Sequence, residues 1–319
     1  MYGIQYMNKT IFTPQILRYD DFRDLEIIKD ISQGWDILWT YIKAGGTDAS
    51  IWVFTTPRMQ FSKVSYNNAI MIESSPPVGS VQLSFIRTKG ACSSHNQKLK
   101  DNELLVIYSG EETNYVAGDA NEIFNLVFEK DFFDDIFYRY FDRHVAEMRS
   151  EYRLSMREDG INSFILKIQY WQSYFQQNIS KKMTVDTFFR IENDIAEHLF
   201  SLIDFKAKRK EKNRFDTLKA RKILEENIDN IYSISDLVDE MGINARTLQI
   251  HFKDKLGVTP KRYLQNIRLN AIRRELLKAD PKNTVISNIA LKYGFFYPSH
   301  FATEYKKLFL QTPTDTLYI

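Results

Sequence analysis

The feature that most restricts this chain is a layout that occurs twice near its C-terminus: a short helix, a turn closed by glycine, and a second helix with a polar face. From Ser233 to Leu256 the residues predict the first copy. Ser233 is placed to cap a helix, with Asp236 three residues on. Ile234, Leu237, Val238 and Met241 give that helix one apolar face. Gly242 ends it, and Asn244 caps the next. The second copy runs from Val285, Ile286, Ile289 and Ala290 to Gly294, and Pro298 then starts a helix that turns Phe301, Tyr305 and Leu308 inward. Between the copies, Thr259-Pro260 opens a helix with Thr as N-cap and Pro at N1. It continues through Tyr263, Leu264, Ile267, Ala271 and Leu276 until Asp280-Pro281 stops it.

The second helix of each copy has two separable faces. Ala245, Leu248, Phe252 and Leu256 make an inward stripe, while Arg246, Gln249, Ile250 and Lys253 lie on another side. Arg reads guanine bidentately, Gln reads adenine, and an aliphatic group touches the thymine methyl. An amphipathic helix with a solvated face has the same pattern, so one copy alone decides little. The pair decides more. A connecting helix of about 21 residues is roughly 31 Å long, close to the roughly 34 Å between successive major grooves on one face of B-DNA. The expected base contacts are Arg246, Thr247, Gln249 and Ile250 from the first copy and Ser299, His300 and Thr303 from the second. Lys253, Lys255, Lys306 and Lys307 are the expected phosphate contacts.

Charge is divided in the same sense. Residues 1–205 carry 21 Lys+Arg against 28 Asp+Glu, and residues 206–319 carry 22 against 13. A basic half is what meets a polyanion. The run Lys206 to Arg214, polar and highly charged, reads as a linker over 206–214. It divides the chain into an N-terminal regulatory and dimerisation domain over 1–205 and a DNA-binding domain over 215–319.

Within 1–205 two textures follow one another. Short apolar or alternating runs such as Ile51–Phe54, Val81–Ile86, Leu104–Tyr108 and Ile123–Phe128 predict strands over about 51–129, in a β-sandwich or barrel. From about 131 to 205 the period becomes helical, with Ile161, Phe164, Ile165, Ile168 and Trp171, then Phe188, Ile191, Ile195 and Leu199. The fold class is therefore α+β: a β-rich sandwich or barrel, a helical region, and an all-α C-terminal domain with two helix-turn-helix units.

These C-terminal residues resemble the AraC/XylS family of bacterial regulators. The matching stretch is Ala245-Arg-Thr-Leu-Gln-Ile-His-Phe-Lys-Asp-Lys-Leu-Gly-Val-Thr-Pro260, followed by Tyr263 to Leu269, Ala290 to Phe295, and Phe301, Phe309 and Pro313. The resemblance covers about 215–319. It implies two helix-turn-helix units joined by a long helix, an activator of transcription, and RNA polymerase as a partner. Many members carry Arg where this chain has Thr303 and Gly where it has Leu310. The run Arg268 to Leu276, with Phe301-Ala-Thr-Glu-Tyr305, resembles the branch of the ethanolamine-utilisation regulators, in which that Thr is usual.

Other chemistry has little to stand on. One cysteine, Cys92, leaves no internal disulfide and sets a reducing cytoplasm as the expected compartment. Cys92 with His95 lacks the partners of a nucleophilic site, and the histidines have no ligand spacing. No metal, cofactor or catalytic residue is expected. The N-terminus lacks a signal-peptide layout, and no apolar run approaches the roughly 20 residues that span a bilayer. Three classes stay open for the whole chain. One is a regulator of double-stranded DNA under a small-molecule effector, whose binding residues the sequence does not pick out. Another is a regulator whose N-terminal domain binds a protein or only dimerises. The third is an enzyme fused to a DNA-binding module. A homodimer is expected in the first two.

Overall fold

The computed structural model describes residues 11–32, 34–88, 92–94, 97–100, 102–118, 121–142, 152–157, 159–178, 183–209, 217–229 and 232–319. The N-terminal half is a two-sheet β-sandwich. Its strands are β1 (Gln15–Phe22), β2 (Asp36–Tyr41), β3 (Ala49–Thr55), β4 (Met59–Tyr66), β5 (Ile70–Ser75), β6 (Ser80–Thr88), β7 (Cys92–Ser94), β8 (Gln97–Lys98), β9 (Glu103–Tyr108), β10 (Thr113–Ala117), β11 (Asn121–Glu129), β12 (Tyr152–Met156) and β13 (Ile203–Arg209). One sheet has the order β1-β3-β4-β11-β6-β9-β12-β13 and the other β2-β5-β10-β7-β8. The helices of this half are α1 (Glu26–Ile31), α2 (Lys130–Phe141), α3 (Gly160–Asn178) and α4 (Val185–Leu202).

Side chains alternate across a strand with period two, and here every face of both sheets finds apolar cover. The outer face of the large sheet, with Phe54, Phe61, Phe85, Phe124 and Phe128, packs on Phe133, Phe164, Ile168, Ile191 and Ile195 of α2, α3 and α4. Its inner face, with Ile51, Val64 and Ile123, meets Trp39, Ile70, Ile72 and Tyr115 of the small sheet. The intervening residues of the small sheet, Met71 and Val116, together with Ile42, pack on the C-terminal helices. The helix stripes read from sequence are thus core. Among them, Glu192 of α4 is fully buried and accepts from Thr56 Oγ1 (2.7 Å), Arg58 N (2.9 Å) and Arg58 Nε (2.8 Å).

Two boundaries differ from the sequence reading. Strands begin at Gln15 rather than near 51, and β12 and β13 rejoin the large sheet from among the helices. β1 lies at an edge and its exposed middle, Arg18, Tyr19, Asp20 and Asp21, interrupts Ile16, Leu17 and Phe22, so it lacks a buried strand's apolar run. Lys206 to Arg209, read as the start of the linker, belong to β13, where Lys208 pairs with Arg153 and Arg209 with Tyr152. Lysine-rich edge strands resemble linkers in composition. The rest of that run, 210–214, lies outside the described residues, as do His95, His144 and residues 1–10 of the N-terminus.

The C-terminal helices are α5 (Thr217–Glu226), α6 (Ile234–Met241), α7 (Ala245–Leu256), α8 (Pro260–Leu277), α9 (Ile286–Lys292), α10 (Pro298–Phe309) and α11 (Pro313–Leu317). No helix of the described residues is long and apolar enough to cross a membrane.

Candidate nucleic-acid interface

Local rules build each unit. Ser233 and Asp236 form a reciprocal capping box at the start of α6, and Gly242 closes it in the left-handed region at φ 62°. Asn244 accepts the Thr247 N–H at 2.7 Å to start α7, and Thr259 accepts from Arg262 N at 3.2 Å to start α8. Leu248, Phe252 and Leu256 are buried, whereas Ala245 in the first turn of α7 is exposed. The connecting helix α8 has 18 residues rather than about 21, because Lys278 already leaves it as its C-cap. That length is about 27 Å.

Arg246, Gln249, Ile250 and Lys253 stand exposed on one side of α7, with Thr247 half-buried beside them. Ser299, His300, Thr303, Lys306 and Lys307 are exposed on α10. The cations differ in freedom. Lys255 is largely covered and its Nζ sits 3.1 Å from Asp254. Lys307 Nζ is 2.9 Å from Glu304, which also takes the guanidinium of Arg262. The hydrogen bond from Lys307, then Arg262, holds the Glu304 carboxyl below the usual range. Thr303 donates its hydroxyl to the Ser299 carbonyl at 2.8 Å, so within its own helix only the oxygen's acceptor capacity is left.

A set of residues that the sequence pattern passes over lies where these helices meet the sandwich. Asn266 and Asn270, four apart on α8, are buried. Asn270 accepts from Tyr41 N and donates to Tyr41 O, both at 3.1 Å, and Asn266 donates to Ile42 O at 2.7 Å. Gly45 N and Gly46 N donate to the carbonyls of Lys307 (2.8 Å) and Leu308 (2.9 Å) at the end of α10. Ser93 Oγ donates to Lys255 O, near the end of α7, at 3.3 Å. Leu310 takes the left-handed position after α10 at φ 58°. A Cβ on Gly46 would stand 3.1 Å from its Cδ1. Arg273 of α8 meets Asp24 at 3.3 Å. Arg221 of α5, buried, bonds Tyr263, Glu73 of β5 and Glu225. Burial opposes its charge, but Tyr263, Glu225 and Glu73 more than offset that; for Glu73 itself, burial and then Glu225 push the carboxyl up. Asparagine on a helix face ordinarily reads as solvent-facing, and the sequence reading passed over the i,i+4 repeat on the apolar side of α8 that could have marked these two.

Known proteins share this end of the chain. Residues 237–318 match a family described as a helix-turn-helix domain. A probable thc operon regulatory protein of Rhodococcus erythropolis is 35% identical over 94 residues, 30% of this chain and 28% of that protein. XylDLEGF operon transcriptional activator 1 of Pseudomonas putida is 36% identical over 96 residues, again 30% and 28%. The match thus spans little more than a quarter of either relative. A solved transcriptional regulator with an AraC-type DNA-binding domain, from Chromobacterium violaceum, is 31% identical over 32% of this chain and 88% of its own, with a TM-score of 0.30. Residues 237–318 of this chain are a helix-turn-helix domain, similar in sequence to the corresponding parts of these transcriptional regulators.

Proposed function

We propose that the chain is a transcriptional activator that reads two successive major grooves of double-stranded DNA with α7 and α10, under a small-molecule effector taken up by its N-terminal domain. The observation that carries the DNA-binding reading is the pair of helix-turn-helix units with open polar faces, the first of them capped by Ser233 and Asn244. Arg246, Thr247, Gln249 and Ile250 meet base edges in one groove, and Ser299, His300 and Thr303 in the next. Lys253, Lys306 and, with less freedom, Lys255 and Lys307 meet phosphates. In the test, Arg246→Ala or Gln249→Ala costs about 1–3 kcal/mol at the cognate site and relaxes sequence choice there. Unchanged operator affinity and preference in Arg246→Ala would remove α7 from the groove.

The regulatory unit covers residues 1–205 and continues through β13; the DNA-binding unit begins near 215. The activator role follows from similarity to relatives such as the XylDLEGF operon transcriptional activator 1 of Pseudomonas putida. RNA polymerase is then the second partner, and the cytoplasm the setting. Arg268 to Leu276 and Thr303 favour the branch of the ethanolamine-utilisation regulators.

The sensor reading rests on a cavity of about 30 Å3 between the two sheets, with Trp35, Trp39, Gln60, Tyr115 and Asn125 among its walls. That is room for about one water, so an effector has to open it. Trp39 Nε1 is buried without a hydrogen-bond partner, a donor that an oxygen of the effector would satisfy. In a thermal-shift screen against small metabolites, one compound raises the melting temperature of the wild type and not of Trp39→Phe. No shift across the set favours the second reading, an N-terminal half that binds a protein or only dimerises. That reading draws on the outward face of α3 and α4, where Leu166, Tyr170, Tyr174 and Phe189 are exposed. A homodimer through this face predicts that Tyr170→Glu sediments as a monomer at concentrations where the wild type is paired.

A further inference from the structure

The last carbonyls of a helix have no donors within it, and whatever supplies those donors fixes where the helix end sits. In α7 and α10 some of those donors come from the β-sandwich: Ser93 on Lys255 O, and Gly45 and Gly46 on the carbonyls of Lys307 and Leu308. Between the two ends, α8 is pinned to the same body. The Asn270 amide engages both backbone groups of Tyr41, as a neighbouring strand would, and Asn266 holds the next carbonyl. Tyr41, Ile42, Gly45 and Gly46 belong to one stretch, the end of β2 and the loop after it. The open faces of α7 and α10 point away from these contacts, since Arg246, Gln249, Ser299, His300 and Thr303 stay exposed.

We infer that Ser93, Gly45, Gly46, Asn266 and Asn270 are positioning residues for DNA reading: the sandwich, and not α8 alone, sets the spacing and rotation of the two recognition helices. The inference rests on the reading of α7 and α10 proposed above. Two linked contacts act together only where geometry lets both engage, and the gain vanishes when it does not. A rigidly held pair therefore demands one half-site spacing, and a loosened pair tolerates several.

The test uses the full chain and duplexes selected from a random pool, then rebuilt with one or two base pairs added to or removed from the centre. A duplex carrying only the half read by α7 serves as reference. For the wild type, each altered spacing should weaken binding by about tenfold or more. Asn270→Leu keeps the branched shape of the side chain and removes the amide. It should lose about fivefold to twentyfold on the native spacing, bind the half-site duplex within about twofold of the wild type, and show a spacing penalty of no more than about threefold. Gly46→Ala should repeat this from the sandwich side, because its Cβ meets Leu310. Equal spacing penalties in wild type and both variants, or parallel loss on half-site and full duplexes, would overturn the inference. Failure of the underlying reading looks different: Arg246→Ala would then leave binding to the half-site duplex unchanged.

Discussion

Single side chains in this molecule divide into those held from all sides and those held from one. Glu192 is of the first kind: its carboxylate takes three hydrogen bonds from Thr56 and Arg58 and tethers α4 to the turn between β3 and β4. Removing one partner of a buried pair strands the other and costs about 3–5 kcal/mol. Glu192→Ala should therefore lower the denaturant midpoint steeply; a change within about 0.5 kcal/mol, as for a surface site, would show that the pair contributes little. Lys253 is of the second kind, exposed and pointing outward. Lys253→Ala should weaken binding to all duplexes alike and reduce the salt slope by about one. In Arg246→Ala the loss should instead depend on sequence, and binding curves at several salt concentrations separate the two.

Helices and strands show where residue patterns sufficed. The caps at Ser233, Asn244 and Thr259 and the stop at Gly242 were legible because each is a local rule satisfied within a few residues. The outward face of α7 was legible for the same reason. β1 and β13 were not, since these edge strands lack a buried strand's apolar run, and their pairing depends on partners far along the chain. Nor were Asn266 and Asn270, whose partners lie more than two hundred residues away. The tie between α8 and α10, Arg262 on Glu304, spans less of the sequence, and it titrates. Glu304's folded pKa is depressed, so its contribution is fully present above the unfolded value of about 4.3 and is lost as pH falls through the lower folded value. Acid unfolding followed by circular dichroism should show that loss in the wild type and less of it in Glu304→Gln. An identical pH dependence in both would mean that Lys307 and Arg262 gain nothing from the charge.

At the scale of the whole molecule, the two units are expected to do unequal work. Arg makes the commonest specific base contact, while the short hydroxyls of Ser299 and Thr303 reach few base atoms. Saturation mutagenesis of the operator at fixed salt should therefore find larger penalties under α7 than under α10; equal penalties would return attention to Thr303. Both units rest on the sandwich, but not in the same way. The first has its own apolar cluster, with Ile42, Met71 and Val116 as its floor. In the second, Leu269, Ile272, Phe301, Tyr305 and Phe309 belong to the same continuous cluster as Trp39, Ile51 and Ile123 between the sheets. An interior shared in this way melts as one piece. Calorimetry should give a single endotherm whose calorimetric and van't Hoff enthalpies agree, and two separate peaks would show independent units. For anyone splicing chains, it also means that a chimera cut after Arg209 carries an open apolar wound on each side, and a usable exchange has to keep β2, β5 and the second unit from the same parent.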